Sequence, residues 1–117
     1  MPAQPAGGPH VLEVEAASGA RRVVRDVLMG DVYLCAGQSN MEWSVASALN
    51  ARSEIANASD DGVRLFHIAH VSSVSPRSAL GAVTGWSPAA PESVRAFSAV
   101  CYFFARDLRR ESDVPIG

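Results

Sequence analysis

The sequence has few of the features that identify disulfide-rich, membrane-spanning or nucleic-acid-binding proteins. Only two of its 117 residues are cysteine, which is too few for a disulfide scaffold, and they form no C-x-x-C motif. Its apolar runs fall far short of the roughly 20 residues that a helix needs to cross a bilayer. The formal net charge is −2, and no basic stripe is combined with aromatic residues. We therefore predict no nucleic-acid partner and no membrane span.

What remains is the composition of an ordinary globular domain. Hydrophobic residues make up 48% of the chain and charged residues 19%, and the length suits one small domain. Residues 1–9 are rich in Pro, Ala and Gly and are predicted to form a linker or loop. They lack the basic start and apolar middle of a signal peptide. Both cysteines, Cys35 and Cys101, lie in apolar runs. This favours two buried small side chains, although a bridge forms if a helix lays Cys101 against the strand that carries Cys35.

A β-hairpin is predicted at the start of the chain. Residues 10–16 alternate between two faces, which is typical of a half-buried strand, and residues 21–28 form a second β-like run. Gly19 lies in the turn between them and is free to adopt a positive φ. Antiparallel pairing brings Glu13 and Glu15 near the arginines of the second strand.

After residue 30 the pattern changes to alternating strands and helices, in the order β-α-β-α-β. The predicted elements are, in order, a doubly covered strand at 31–36, a helix from Met41 to about residue 58 with a break at Asn50, a strand at 63–71, a loop at 72–92 that carries Trp86, a helix N-capped by Ser93, and the start of a strand in the last four residues. This order predicts a parallel sheet flanked by helices, about half of a doubly wound sheet.

The stretch "GDVYLCAGQSNMEW" (residues 30–43) places Ser39 where a strand turns into a helix. Ligands of open α/β sheets bind at the carboxyl ends of the strands. A helix start also offers unpaired N–H groups that can stabilise an oxyanion, so a serine there can serve as a nucleophile if a histidine takes its proton. The alternative is structural: "SNME" matches the S-x-x-E capping box, in which Ser39 caps the helix and Glu42 reaches back.

The same stretch resembles the nucleophile block of the sialate O-acetylesterase family, a family of SGNH (GDSL-like) hydrolases. The similar residues are Gly30, Asp31 and Val32, followed by the run from Gly37 to Met41. Weaker similarity extends over "VRLFHIAHV", Trp86, "FSAVCYFFARDL" and "VPIG". The resemblance implies an α/β fold, the start of a flavodoxin-like three-layer sandwich at residues 30–117, preceded by the tail of a β-rich module at residues 1–29.

By this resemblance, Ser39 is the nucleophile of a serine esterase that removes O-acetyl groups from sugars. Its backbone N–H is one oxyanion donor, and Gln38 and Asn40 flank it as substrate-binding residues. The implied partner is an O-acetylated sugar or glycan, with no metal and no cofactor, and the implied location is secreted or periplasmic. The sugar, the oligomeric state and the compartment are not defined by the sequence.

The base that the resemblance implies, a histidine in a D-x-x-H motif, does not occur in the 117 residues. None of the three histidines (His10, His67 and His70) is expected to replace it. We therefore expect the chain to be an inactive, marginally stable part of a longer esterase. Two alternatives stay open: an acetyl xylan-type esterase of the same superfamily, and a truncated, non-catalytic product that binds glycans or a partner.

Overall fold

A computed structural model of the chain describes residues 4–117. The predicted linker at residues 1–9 lies partly outside the described residues, because residues 1–3 are not among them. Its last part is not a linker, since residues 7–9 already belong to the first strand. Residues 4–117 contain a hairpin, four short helical segments, a second small antiparallel sheet and one long helix.

The hairpin consists of strand β1 (Gly7–Glu15) and strand β2 (Arg21–Met29), which pair antiparallel. Gly19 has a φ of +81° in the turn, a conformation that glycine adopts without steric cost. The Arg21 guanidinium lies 2.5 Å from the Glu13 carboxylate across the strands. The predicted hairpin and its cross-strand charge pairing are confirmed.

The prediction that this hairpin is half-buried is wrong. Val11 and Leu12 point to opposite faces, yet their side chains are 53% and 37% exposed. Only the base of the hairpin, at His10 and the end of β2, is partly covered. A bidentate ion pair joins this base to the rest of the chain, because Asp26 accepts hydrogen bonds from Arg64 at 2.7 and 2.9 Å.

The predicted helix from Met41 to about residue 58 is broken into three pieces: helix α1 (Ser39–Glu42), a 3-10 turn (Val45–Ser47) and helix α2 (Ala51–Ala56). Asn50, where a break was predicted, adopts a left-handed conformation with φ +59°. This conformation redirects the chain before α2, and asparagine tolerates it better than most residues. The apolar periodicity of the stretch reflects burial at Val45 and Ile55 rather than one continuous helix.

Strand β3 (Asp60–Leu65) pairs antiparallel with strand β4 (Ser87–Ala89). β3 ends six residues before the predicted limit of residue 71, because the chain turns away to hydrogen-bond with residues 82–84. β4 lies within the predicted loop at 72–92, so the observed loop is shorter than predicted. The fold is thus mixed α/β with small antiparallel sheets, and within residues 4–117 parallel pairing is limited to isolated bridges.

Those bridges are made by Ile116. It pairs in parallel with Asp31 on one side and with Val63 on the other. The predicted strand in the last four residues is therefore present as a short extended segment. The Ile116 segment, which is third in chain order, lies between residues 31–36 and β3. In a flavodoxin-like sheet it is the first strand that lies between the second and the third. The chain does not reproduce that order.

Helix α3 (Pro91–Val94) precedes the long helix α4 (Ala99–Ser112). The predicted N-cap of the long helix is wrong: Ser93 lies in α3, where its hydroxyl accepts a hydrogen bond from the Ala90 N–H at 2.9 Å. Ser98 caps α4 instead and accepts from the Cys101 N–H at 3.4 Å. The two helices are separate because the chain turns between them.

The core lies between α4, β3 and the short helices. Its most buried large side chains are Val45, Val63, Val94 and Ile116, each at most 1% exposed. Arg106 of α4 reaches the Glu54 carboxylate of α2 at 2.6 Å and so links two helices across this core. The core therefore holds one side of the short Ile116 segment, and the other side faces residues 31–36.

Candidate active site

Ser39 is the first residue of helix α1 and is exposed. The carbonyl oxygen of Gln38 accepts hydrogen bonds from the N–H groups of Met41 (2.9 Å) and Glu42 (3.2 Å) and thereby starts the helix. Among residues 4–117, nothing hydrogen-bonds to the Ser39 hydroxyl, and the backbone N–H groups of Ser39 and Asn40 donate no hydrogen bond. The turn therefore leaves a hydroxyl and two donors available to a ligand.

The capping-box alternative is not realised in this structure. Because the helix begins at Ser39, the N-cap position falls on Gln38, whose side chain makes no capping hydrogen bond. The Glu42 carboxylate does not reach back to the helix start but faces His70 Nδ1 at 3.4 Å. The S-x-x-E spacing thus has no capping function here.

Gly37 allows the turn to close tightly before the helix. A Cβ atom at this position would lie 3.0 Å from the Cβ of Met41, which is closer than side chains normally approach each other. A residue with a side chain at position 37 would therefore push Met41 and the start of α1 away from the residues that precede the turn. Glycine before the Gln-Ser-Asn sequence has a steric reason in this fold.

The turn is attached to helix α4 on both of its sides. Cys35, before the turn, forms a disulfide with Cys101 of α4, and their Cα atoms are 6.2 Å apart. After the turn, Met41 Sδ lies 3.6 Å from the Ser98 hydroxyl, and the Trp43 carbonyl accepts from the Ala99 N–H at 2.8 Å. The favoured prediction of two buried free cysteines is wrong, since Cys35 is exposed and bonded to Cys101, the alternative that the sequence left open.

A groove of about 770 Å³ opens beside the turn. Its wall contains Cys35 and Met41 from the two sides of the turn, His67 and His70 from the segment after β3, and Trp86. The Trp86 ring packs against Phe66 at 5.1 Å between centroids. Neither Ser39 nor its neighbours Gln38 and Asn40 line the groove, so the three predicted site residues lie at its margin and face solvent.

The three histidines are spread over the fold. His10 lies in β1, and its Nε2 is buried without a hydrogen-bond partner among the described residues. His67 and His70 lie close together, with ring centroids 6.4 Å apart. In residues 4–117 no histidine accepts a hydrogen bond from Ser39. The structure thus brings together Glu42, His67 and His70 near one end of α1 and leaves Ser39 at the other.

Sequence reasoning missed the Glu42–His70 pair and the Phe66–Trp86 contact. Each joins residues that are distant in the chain, and no local pattern reports such a pair. Two kinds of feature are absent from residues 4–117. No group of three or more His, Cys, Asp and Glu residues there is arranged to hold a metal ion, and none of the helices there combines the length and apolarity of a membrane span.

These features define a small α/β protein with an exposed serine at the start of a helix, and proteins of known structure share this fold. The chain is similar to a carbohydrate acetylesterase from Xanthomonas citri, whose crystal structure superposes with a TM-score of 0.89 at 44% sequence identity. That similarity covers all of this chain and 27% of the other. No protein-family model matches the chain.

Similar proteins from human and mouse have a more specific name than carbohydrate acetylesterase. Human sialate O-acetylesterase is 36% identical over 123 residues, and the mouse protein is 36% identical over 121 residues, each alignment covering 95% of this chain. The chain is therefore a relative of the sialate O-acetylesterases, and the resemblance predicted from the sequence is confirmed. The chain spans less than a quarter of these relatives, 23% of the human protein and 22% of the mouse protein.

Proposed function

We propose that the chain is part of a serine esterase that removes O-acetyl groups from sugars, with Ser39 as its nucleophile. The observation that carries the proposal is the exposed, unbonded Ser39 hydroxyl at the start of α1, in a chain similar to proteins named sialate O-acetylesterase and carbohydrate acetylesterase. Residues 30–117 would then belong to the hydrolase domain, of the SGNH type, and residues 1–29 to a preceding β-rich module.

The proposed reaction follows from the chemistry of a serine nucleophile. Ser39 Oγ attacks the acetyl carbonyl and loses its proton to a histidine base, while the Ser39 N–H donates to the developing oxyanion. The sugar oxygen leaves and takes up that proton, and an acetyl-Ser39 intermediate remains. Water then attacks the acetyl group and releases acetate, which restores the free hydroxyl. Gln38 and Asn40 flank the attacking atom and are proposed to bind substrate.

The base is proposed to come from polypeptide that is not part of this chain. No D-x-x-H sequence occurs in the 117 residues, and in residues 4–117 no histidine contacts the Ser39 hydroxyl. A serine without a base is a weak nucleophile at neutral pH. The 117-residue chain alone is therefore expected to bind substrate at most, and the longer parent protein is expected to hydrolyse it.

The test compares Ser39→Ala with Ser47→Ala in the parent protein. Both serines are exposed and lie in the same short stretch. Loss of the nucleophile should lower kcat for acetate release by about 10³-fold or more, whereas Ser47→Ala should leave it unchanged. Acetate release from O-acetylated sialic acid and from acetylated xylan, measured side by side, identifies the sugar. A fully active Ser39→Ala variant would refute the proposal.

A further inference from the structure

The Ser39 turn is held by one helix at both of its ends. Upstream, the disulfide from Cys35 to Cys101 fixes the chain four residues before Ser39. Downstream, Met41 Sδ lies 3.2 Å from the sulfur of the same Cys101 and 3.6 Å from the Ser98 hydroxyl. The first turn of α4 therefore contacts the chain just before and just after the serine.

Between these two attachments the chain has little else to hold it. Every residue from 36 to 40 is exposed, and none of their side chains hydrogen-bonds to another described residue. The segment before the turn is also open, since Leu34 is 86% exposed. Cys101, by contrast, is only 4% exposed and lies in a helix that is anchored in the core. The disulfide thus fixes residues 36–40, which have few contacts of their own, to a helix that is anchored in the core.

We propose that the Cys35–Cys101 disulfide is a positioning element for Ser39, and that breaking it lowers the turnover of the parent esterase far more than its affinity for substrate. The proposal rests on the proposed function of Ser39. Its physical basis is that catalysis by a nucleophile depends steeply on placement, and a displacement of about 1 Å costs about 10²-fold in rate. Substrate contacts outside the turn are expected to be retained, because they do not depend on the placement of Ser39.

Reduction by an external dithiol such as dithiothreitol is the direct perturbation. The dithiol supplies two electrons and two protons, the Cys35–Cys101 sulfur–sulfur bond breaks, and two thiols form while the reagent closes into its own disulfide. Cys35 is an exposed residue whereas Cys101 is buried, so the reagent is expected to approach the bond from the side of Cys35. The two reduced side chains lose the covalent restraint, whereas the non-covalent contacts of Met41 and Trp43 with α4 remain.

A general loss of stability must be separated from a loss of positioning, because a disulfide that closes a long loop also stabilises the whole chain. The parent protein is therefore prepared as Cys35→Ala, Cys101→Ala and the double variant. Ile55→Ala serves as the control: Ile55 is buried in α2, and its truncation should lower the melting temperature without touching the turn. All kinetics are measured well below the lowest melting temperature of the set.

The first expected result is kinetic. Each single variant and the double variant should lose about 10- to 100-fold in kcat, with KM changed by less than about threefold, and the three losses should be equal because they remove one bond. Reduction should bring the wild-type protein to the same level and should not affect the variants further. Ile55→Ala should keep its kcat. An unchanged kcat after reduction, or a loss in Ile55→Ala that matches the cysteine variants, would overturn the proposal.

The second result does not depend on esterase chemistry. Peptide mapping without reductant should find Cys35 linked to Cys101. Hydrogen exchange of the Met41 and Glu42 amides, which donate to the Gln38 carbonyl at the start of α1, should become faster on reduction while exchange in α2 stays the same. Absence of the link, or equal exchange in both states, would overturn the positioning role directly. If instead Ser39→Ala stays fully active while exchange responds to reduction, the proposed function fails, and the positioning of a catalytic Ser39 fails with it.

Discussion

Two segments flank the same short strand, and they differ sharply in burial. On one side of Ile116, Val63 and Leu65 of β3 are 1% and 5% exposed; on the other, Val32 and Leu34 are 71% and 86% exposed. Both segments carry apolar side chains at alternate positions, and both pair in parallel with residue 116. Apolar sequence and backbone pairing alone therefore do not bury a strand.

The difference lies in what packs on top of each segment. Helix α4 packs on β3, and strand β4 pairs with its edge. On the other side, Tyr33 makes an edge-on contact with Phe104 at 5.0 Å, and its neighbours on both sides face solvent. The prediction that residues 31–36 are covered on both faces is wrong for this chain. The relatives are about four times longer, and we expect polypeptide from such a longer protein to cover Val32 and Leu34.

The largest expected effect tests this contrast in stability. Ile116→Ala should lower the free energy of unfolding by about 2–5 kcal/mol, because it removes a fully buried side chain between the two segments. Leu34→Ala, the matched change on the open side, should cost about 0.5 kcal/mol or less, since that side chain is already in water. Urea unfolding of the chain followed by circular dichroism measures both. Equal losses would show that the open segment, residues 31–36, is packed in solution.

The sequence predicted the hairpin well because its signals are local. Alternation in β1 and β2 and a glycine turn depend on neighbouring residues only, as does the break at Asn50. The exposure of the hairpin was not predictable, since it depends on whether another element packs on its faces. The bounds of β3 were likewise decided by a distant partner, residues 82–84.

For the site, the local pattern predicted where Ser39 lies but not what surrounds it. The strand-to-helix turn is present, and the glycine before it has a steric role. The pattern could not exclude the capping box, because whether Gln38 or Ser39 takes the N-cap position differs by one residue. The disulfide and the Glu42–His70 pair depend on how α4 and the segment after β3 pack. Because the partners are distant in the chain, no local sequence pattern predicts that packing.

A smaller effect is expected at Gly30, where the open segment begins. A Cβ atom there would overlap the carbonyl oxygen of Pro115, so Gly30→Ala should force residues 31–33 away from the Ile116 segment and cost about 1–3 kcal/mol. Gly81→Ala is the matched control, since its Cβ would meet only a methyl group of Val71 at 3.2 Å. Amide exchange at Tyr33 and Gly117, whose hydrogen bonds join the two segments, reports the separation. Unchanged protection of both amides in Gly30→Ala would contradict the expected clash.

The smallest expected effect concerns the link between the exposed hairpin and β3. The Arg64 guanidinium donates hydrogen bonds to the Asp26 carboxylate and holds its pKa below the ordinary value of 3.8. Because the folded-state pKa is the lower one, the pair contributes stability above that ordinary value and loses it as the pH falls through the folded-state pKa. Asp26 is more than half exposed, so solvent screening keeps this contribution small.

Asp26→Asn isolates the charge, because asparagine also tolerates the positive φ of +59° at this position. The variant should melt at a lower temperature than the wild type at pH 7. The gap should shrink at pH 3, below the ordinary pKa of 3.8, because the unfolded carboxylate takes up a proton there while the folded ion pair resists it. Glu15→Gln removes a charge from the exposed tip of the same hairpin and should not produce a gap that closes at low pH. A gap for Asp26→Asn that is the same at both pH values would mean that the ion pair does not stabilise the attachment. The hairpin would then be held by the partly buried ends of β1 and β2 alone, and the contrast between open and covered regions would rest on apolar packing throughout.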